Sequence, residues 1–66
     1  MILRVEAGEA GLRLDRFLAD RLPDSSRSLL QRCIADGQVT VGGQLVRQAA
    51  RRLAAAETVT LDLPAV

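Results

Sequence analysis

Residues 12–46, LRLDRFLADRLPDSSRSLLQRCIADGQVTVGGQLV, decide how the rest of this chain is read. At 100° per residue, Leu14, Phe17, Leu18 and Leu22 fall within one arc of roughly 140°, the buried stripe of an amphipathic helix. Asp15 stands in its first turn, where the helix dipole favours an anion. Arg16 and Asp20 make an i,i+4 pair. Arg21 lies inside the apolar arc but in the last turn, so its stem is expected to cover apolar surface while its head reaches solvent or the terminal carbonyls. Pro23 ends the helix, because the residue before a proline is pushed out of the helical region. Ser26 is the expected N-cap of a second helix. Leu29, Leu30, Cys33 and Ile34 form that helix's buried face, and Gly37 is its left-handed stop. Val39–Val41, Gly42-Gly43 and Gln44–Val46 then read as a two-residue hairpin, with the glycines supplying the positive φ that such a turn needs.

Outward from this stretch the period changes. Ile2 to Ala7 alternates, with Leu3, Val5 and Ala7 on one side, which predicts a short half-buried strand closed by Gly8. Gly8 and Gly11 bracket a turn before Leu14 opens the first helix. Thr58 to Leu63 alternates again, with Val59, Leu61 and Leu63 facing inward, and Pro64 stops it. Between the hairpin and this closing strand lies RQAARRLAAAE, residues 47–57. Its alanines favour helix by propensity, yet eleven residues leave little room for a helix plus its connections.

Sixty-six residues make one domain, expected over 1–66. A chain of this size buries only about 60% of its unfolded surface, so the core is small. The net charge is +1, and all nine basic residues are arginine. Arginine forks match phosphate bidentately where lysine offers a point charge. Arginine usage alone follows equally from composition bias, so position must decide. Cys33 is the single cysteine and reads as a small buried hydrophobe. The chain has no histidine, the commonest general base and metal ligand. No apolar run approaches the length of a membrane span, and the expectation is a cytoplasmic protein with no membrane partner.

No nucleophile–base pair, metal-ligand cluster or phosphate-cradling glycine loop is present, so no catalytic residue, metal or cofactor is expected. What remains is a set of arginines on two helices and the turn between them, the arrangement of a docking surface for a polyanion. Backbone N–H groups, a capping hydroxyl and Arg27 converge at the start of the second helix, where a phosphate oxygen could sit. Phe17 is the only aromatic and lies on the core face, so no base-stacking platform exists.

The run from Arg13 to Gln44, RLDRFLADRLPDSSRSLLQRCIADGQVTVGGQ, resembles the S4 RNA-binding domain, with its helix, Ser-Arg-Ser at the second helix start, glycine after that helix, and Val-x-Val hairpin. Over residues 2–63 the chain resembles the N-terminal S4 domain of large-subunit-type ribosomal RNA pseudouridine synthases. The resemblance implies an α+β fold in which two antiparallel helices pack on a small, curved antiparallel or mixed sheet. It implies structured RNA, ribosomal RNA in particular, held along the helix-turn surface called the αL motif. Carried over by position, Arg13, Arg16, Ser26, Arg27 and Gln31 are the contact candidates, with Arg32 at the margin. Asp15 matches the motif as a residue that orders the helix entry. The chain departs from the family at Gly42-Gly43, where Asn-Gly is common, at Gln48-Ala49, where a basic residue and proline are common, and at Ala56-Glu57, where Gly-Asp is common. For residues 47–57 the resemblance points to a short strand or irregular crossover, not a full helix.

The synthases catalyse with an aspartate of a separate, larger domain, and no aspartate here sits in a matching motif. The chain is therefore expected to be a non-catalytic RNA-binding module beside a C-terminal catalytic domain of a parent enzyme. The alternatives are a freestanding S4 protein of ribosomal particles, or a protein-docking module whose arginines serve surface salt bridges. The aim of Arg47, Arg51 and Arg52 is not given by the sequence, and RNA affinity is expected to depend on them less than on Arg13, Arg16 and Arg27.

Overall fold

The computed structural model describes residues 1–62. In chain order it holds β1 (Ile2–Arg4), a 3-10 turn (Ala7–Glu9), α1 (Leu14–Arg21), α2 (Arg27–Ala35), β2 (Val39–Val41), β3 (Gln44–Leu45) and β4 (Thr58–Leu61). The four strands form one sheet in the order β1-β4-β2-β3. Every pairing is antiparallel, so the sheet is not mixed. The fold is α+β, as the resemblance implied.

The helices lie where the apolar arcs put them. Leu14, Phe17 and Leu18 of α1 and Leu30, Cys33 and Ile34 of α2 are buried, and Leu22 and Leu29 pack partly covered against them. Val39 and Val41 of β2 and Val59 and Leu61 of β4 close the core from the sheet side. Leu22 leaves the helical region at φ −126°, as a residue before proline must. The Ser26 hydroxyl accepts the Leu29 N–H at 3.1 Å, which makes it the N-cap of α2. Helix α2 ends in a Schellman motif: Gln38 N–H donates to Cys33 O, Gly37 N–H donates to Ile34 O, and Gly37 has φ +79°. Gly42 and Gly43 both have positive φ in the hairpin turn.

Two expectations need correction, both of strand length. The first strand stops at Arg4, and Ala7 is exposed. Past Val5 the chain bends into the 3-10 turn, where the Glu9 carboxylate accepts the Glu6 N–H at 2.9 Å and draws the backbone away from the sheet. Arg21 lies over the Phe17 ring at 5.0 Å with its side chain 28% exposed, so its stem covers apolar surface as expected, and its head is taken by acceptors outside its own helix. It donates to both oxygens of Glu9 and to Arg4 O, tying α1 to the N-terminal segment. The closing strand ends at Leu61, and Leu63 and Pro64 lie outside the described residues.

Residues 47–57 form an irregular crossover with no helix. Tertiary contacts override propensity: the extended path puts Leu53 into the core at 3% exposure and bonds the segment's backbone to the entry of α1. Two bonds shape its last turn: Ala56 N–H donates to Val5 O at 2.9 Å, and Ala54 N–H donates to Glu57 Oε1 at 2.6 Å. Ala56 adopts φ +68°, the left-handed region that costs an L-residue about 1–2 kcal/mol. This is a physical reason for the glycine common at that place in the family.

Relieving that strain outweighs the extra freedom glycine adds to the unfolded chain, about 0.5–1 kcal/mol. Ala56→Gly therefore raises the melting temperature. Gly43→Val lowers it through backbone strain alone, since no atom lies within 4 Å of a Cβ built there. Gly42→Asn is tolerated, because asparagine accepts positive φ. Thermal unfolding of the three variants checks this, and equal melting points would refute it.

Acid should loosen the two outer clasps. Hydrogen bonds from Arg21 hold the Glu9 carboxyl below its ordinary value of 4.5, and those from Arg51 do the same for Glu57. A carboxyl lowered by folding stabilises the fold above its unfolded value, and that stability is lost as pH falls through the folded value. Melting temperature is thus expected to drop below about pH 4.5, and to drop less in a Glu9→Gln, Glu57→Gln double variant.

Candidate nucleic-acid interface

The entry to α1 is built by a segment far along the chain, residues 49–53. Arg13 occupies the N-cap position without a side-chain cap. Instead the crossover supplies acceptors: Leu14 N–H donates to Arg51 O at 2.8 Å and Asp15 N–H donates to Ala49 O at 3.1 Å. The same segment runs antiparallel past residues 11–14, with Gly11 N–H donating to Leu53 O and Leu53 N–H to Leu12 O. These bonds place Arg13 and Arg52 directly opposite each other. Because the bonds flank the pair, it is the narrow kind, with Cα atoms about 4.5 Å apart and side chains on one face.

Beneath this pair lies Asp15, a carboxylate only 2% exposed. Burying an unpaired charge is costly, so its partners explain why it is there. Arg13 grips it with two bonds of 3.1 Å, and Arg16 N–H donates to Oδ1 at 2.9 Å. Arg27 approaches Oδ2 at 3.9 Å from the first residue of α2. One carboxylate thus holds the Arg13 guanidinium at the entry to α1 by hydrogen bonds and attracts that of Arg27 on α2 as a longer ion pair. Arg16 in turn is held by Asp20 at 3.3 Å on the exposed side of α1.

The result is a cleft of roughly 240 Å³ lined by Leu12, Arg13, Asp15, Arg16, Arg27 and Arg52. Four guanidiniums share the cleft with the single carboxylate of Asp15, and Asp20 binds Arg16 from outside the lining, so the cations are in excess. Of the sequence candidates, the structure brings Arg13, Arg16 and Arg27 together here. Ser26 adjoins Arg27, with its oxygen already accepting at the cap. Gln31 and Arg32 are exposed on α2 outside the cleft lining, with no side-chain bond to other described residues.

Arg52 is the member that sequence reasoning missed. Its only signal is Leu53, the lone bulky apolar residue of RQAARRLAAAE. In an extended segment successive side chains point to opposite faces, so a buried Leu53 sends Arg52 outward. The neighbouring arginines have other duties. Arg51 is paired with both oxygens of Glu57. Arg47 lies against the C-terminus of α2, its Nε and Nη2 3.3 Å from where a Gly37 side chain would begin. Among the described residues no three His, Cys, Asp or Glu side chains are placed to hold a metal ion, and no helix is long and apolar enough to cross a membrane.

A family model described as the S4 domain matches residues 12–59. The chain is 44% identical over 52 residues to an uncharacterized RNA pseudouridine synthase of Aquifex aeolicus, a match covering 79% of this chain and 16% of that protein. It is 36% identical over 58 residues to ribosomal large subunit pseudouridine synthase D of Yersinia pestis, covering 88% of this chain and 18% of that protein. The protein of the same name from Vibrio parahaemolyticus is 35% identical over 58 residues, with the same coverage. The chain therefore spans less than a fifth of the length of these curated relatives.

Asp15 should matter for stability through its charged hydrogen bonds. Arg13 is about half exposed, so removing its partner leaves no buried orphan charge. Asp15→Ala is expected to cost about 1–3 kcal/mol in urea unfolding. Asp15→Asn, which keeps an acceptor for Arg16 N–H, costs less. A stability unchanged in Asp15→Ala would remove the carboxylate from its organising place.

Proposed function

The chain belongs to the S4 domain family, and on that footing we propose that it is an RNA-binding module, the N-terminal accessory domain of a ribosomal RNA pseudouridine synthase. The observation that carries this reading is the cleft, where arginines from three separate segments meet over one buried carboxylate. Guanidiniums held by a carboxylate beneath them keep their outer donors aimed at solvent. Such preorganised forks suit phosphate oxygens, and charge-assisted bonds to phosphate are the strong ones. Arg13, Arg16 and Arg27 are the primary contacts. Ser26 can still donate its hydroxyl hydrogen beside Arg27, and Gln31 and Arg32 extend the surface along α2.

With Phe17 fully buried, no aromatic ring is available to stack a base. Recognition then rests on backbone phosphates and RNA shape, with modest sequence preference. This chain performs no chemistry. Its contribution is to raise the local concentration of RNA at a catalytic domain by tethering. The relatives named as pseudouridine synthases support that placement, and ribosomal RNA is the target their names suggest.

A salt titration of binding to a structured RNA tests the reading. If roughly four phosphates are neutralised, log affinity falls against log salt with a slope near −3, taking about −0.7 per phosphate. Arg27→Ala should weaken binding alike across RNA sequences and make the slope shallower by about one contact. Gln31→Ala, which removes no charge, should leave the slope unchanged. Absence of RNA binding at low salt by the wild-type chain would sink the proposal in favour of protein docking.

A further inference from the structure

The narrow pairing of Arg13 with Arg52 carries a cost that the fold itself does not explain. Like charges directly opposite across an antiparallel pair are destabilising. Of these two arginines Asp15 compensates only Arg13, gripping it through Nε and Nη2. Arg52 has no carboxylate partner among the described residues, and its one side-chain bond is from Nη1 to Gly11 O at 2.8 Å. Its Nε and Nη2 have no partner among the described residues, and Arg52 lines the cleft. The adjacent Arg51 shows that this crossover can neutralise an arginine when it supplies an acid, as it does with Glu57.

We infer that Arg13 and Arg52 form a two-guanidinium seat for one phosphodiester of the RNA strand, with Arg52 a direct contact that completes the cleft. The inference rests on the RNA-binding reading and deepens it, by adding a crossover residue to an interface otherwise drawn from the helices. A phosphate bridging the two heads would turn their mutual repulsion into two attractions. Asp15 fixes the far side of Arg13, so the seat is formed before the ligand arrives and little ordering is left to complete on binding. Arg52 is held less tightly, by a carbonyl, and keeps more donors for the ligand. In the free protein Arg52 thus stabilises nothing that its removal would forfeit, beyond one exposed hydrogen bond.

The test measures affinity and stability on the same variants. A labelled RNA hairpin is titrated with the wild-type chain and with the Arg52→Gln, Arg47→Gln and Arg27→Ala variants over a range of salt, and each protein is melted without RNA. Arg52→Gln is expected to bind roughly tenfold more weakly at low salt, the scale of a lost charged hydrogen bond. Its salt slope should be shallower by about 0.7–0.9, one phosphate's worth. Its melting temperature should not fall below wild type, because a repulsion goes with the charge. Arg47→Gln removes the same charge away from the cleft and should keep the wild-type slope. Wild-type affinity and slope in Arg52→Gln, alongside a loss in Arg27→Ala, would overturn this inference and leave the RNA reading standing. Equal losses in Arg47→Gln and Arg52→Gln would reduce the effect to overall charge and overturn it as well. A lowered melting temperature with unchanged binding would make Arg52 structural. A wild-type chain that ignores the hairpin but binds an acidic peptide would remove both readings together.

Discussion

Two backbone hydrogen bonds, from Leu14 N–H to Arg51 O and from Leu53 N–H to Leu12 O, join the crossover to the entry of α1, and most of the structure depends on that junction. A helix begins with amide donors that have no partner inside it, and water or a side chain usually takes them. Here a distant strand-like segment takes two of them, which fixes where α1 starts and how it lies against the rest. The same junction carries Leu53 into the core between the helices and the sheet. It also lets the chain pass from β3 across to β4, so that β4 can lie between β1 and β2.

The charged side chains are sorted by the same junction. All the basic residues are arginines of one chemistry, yet each acquires its task from what lies beside it. Arg21 and Arg51 are clasped by Glu9 and Glu57 and serve as staples between segments. Arg47 covers the C-terminus of α2, where a cation is favourable to the helix dipole. Arg13, Arg16, Arg27 and Arg52 share a cleft with carboxylates too few to neutralise them. Asp15 is central to this sorting. A carboxylate so deeply covered would be costly alone, and surrounded by Arg13, Arg27 and the Arg16 amide it becomes the frame on which a cationic surface is held open. A structural acid beneath the arginines is also a restraint, since it lowers the net attraction the cleft offers to any anion.

Much of the fold is legible in the order of residues because it is local. The apolar arc of Leu14, Phe17 and Leu18, the cap at Ser26, the stop at Gly37 and the two-glycine turn each depend on neighbours within a few positions, where propensity and period act. The alternation at Val59 and Leu61 is local too. The first strand fell short of its alternation because Glu9, beyond the pattern, draws the Glu6 amide into a turn. The partners of Arg21 were not legible for a related reason, as Glu9 and Arg4 O lie outside its own helix.

Sequence by itself determined the two helices, the hairpin, the closing strand, the small core and the grouping of Arg13, Arg16 and Arg27 near the helix ends. Those features follow from short-range sterics and from the period of apolar residues. Tertiary structure alone decided the path of residues 47–57 and, with it, the separate fates of Arg47, Arg51 and Arg52. Intrinsic preference in an alanine-rich stretch favours helix by only tenths of a kcal/mol per residue. Burying Leu53 and satisfying the first amides of α1 are worth more, and both depend on groups some forty positions away. No pattern within RQAARRLAAAE encodes those distant partners, so the direction in which each of its arginines points exists only once the chain has closed on itself.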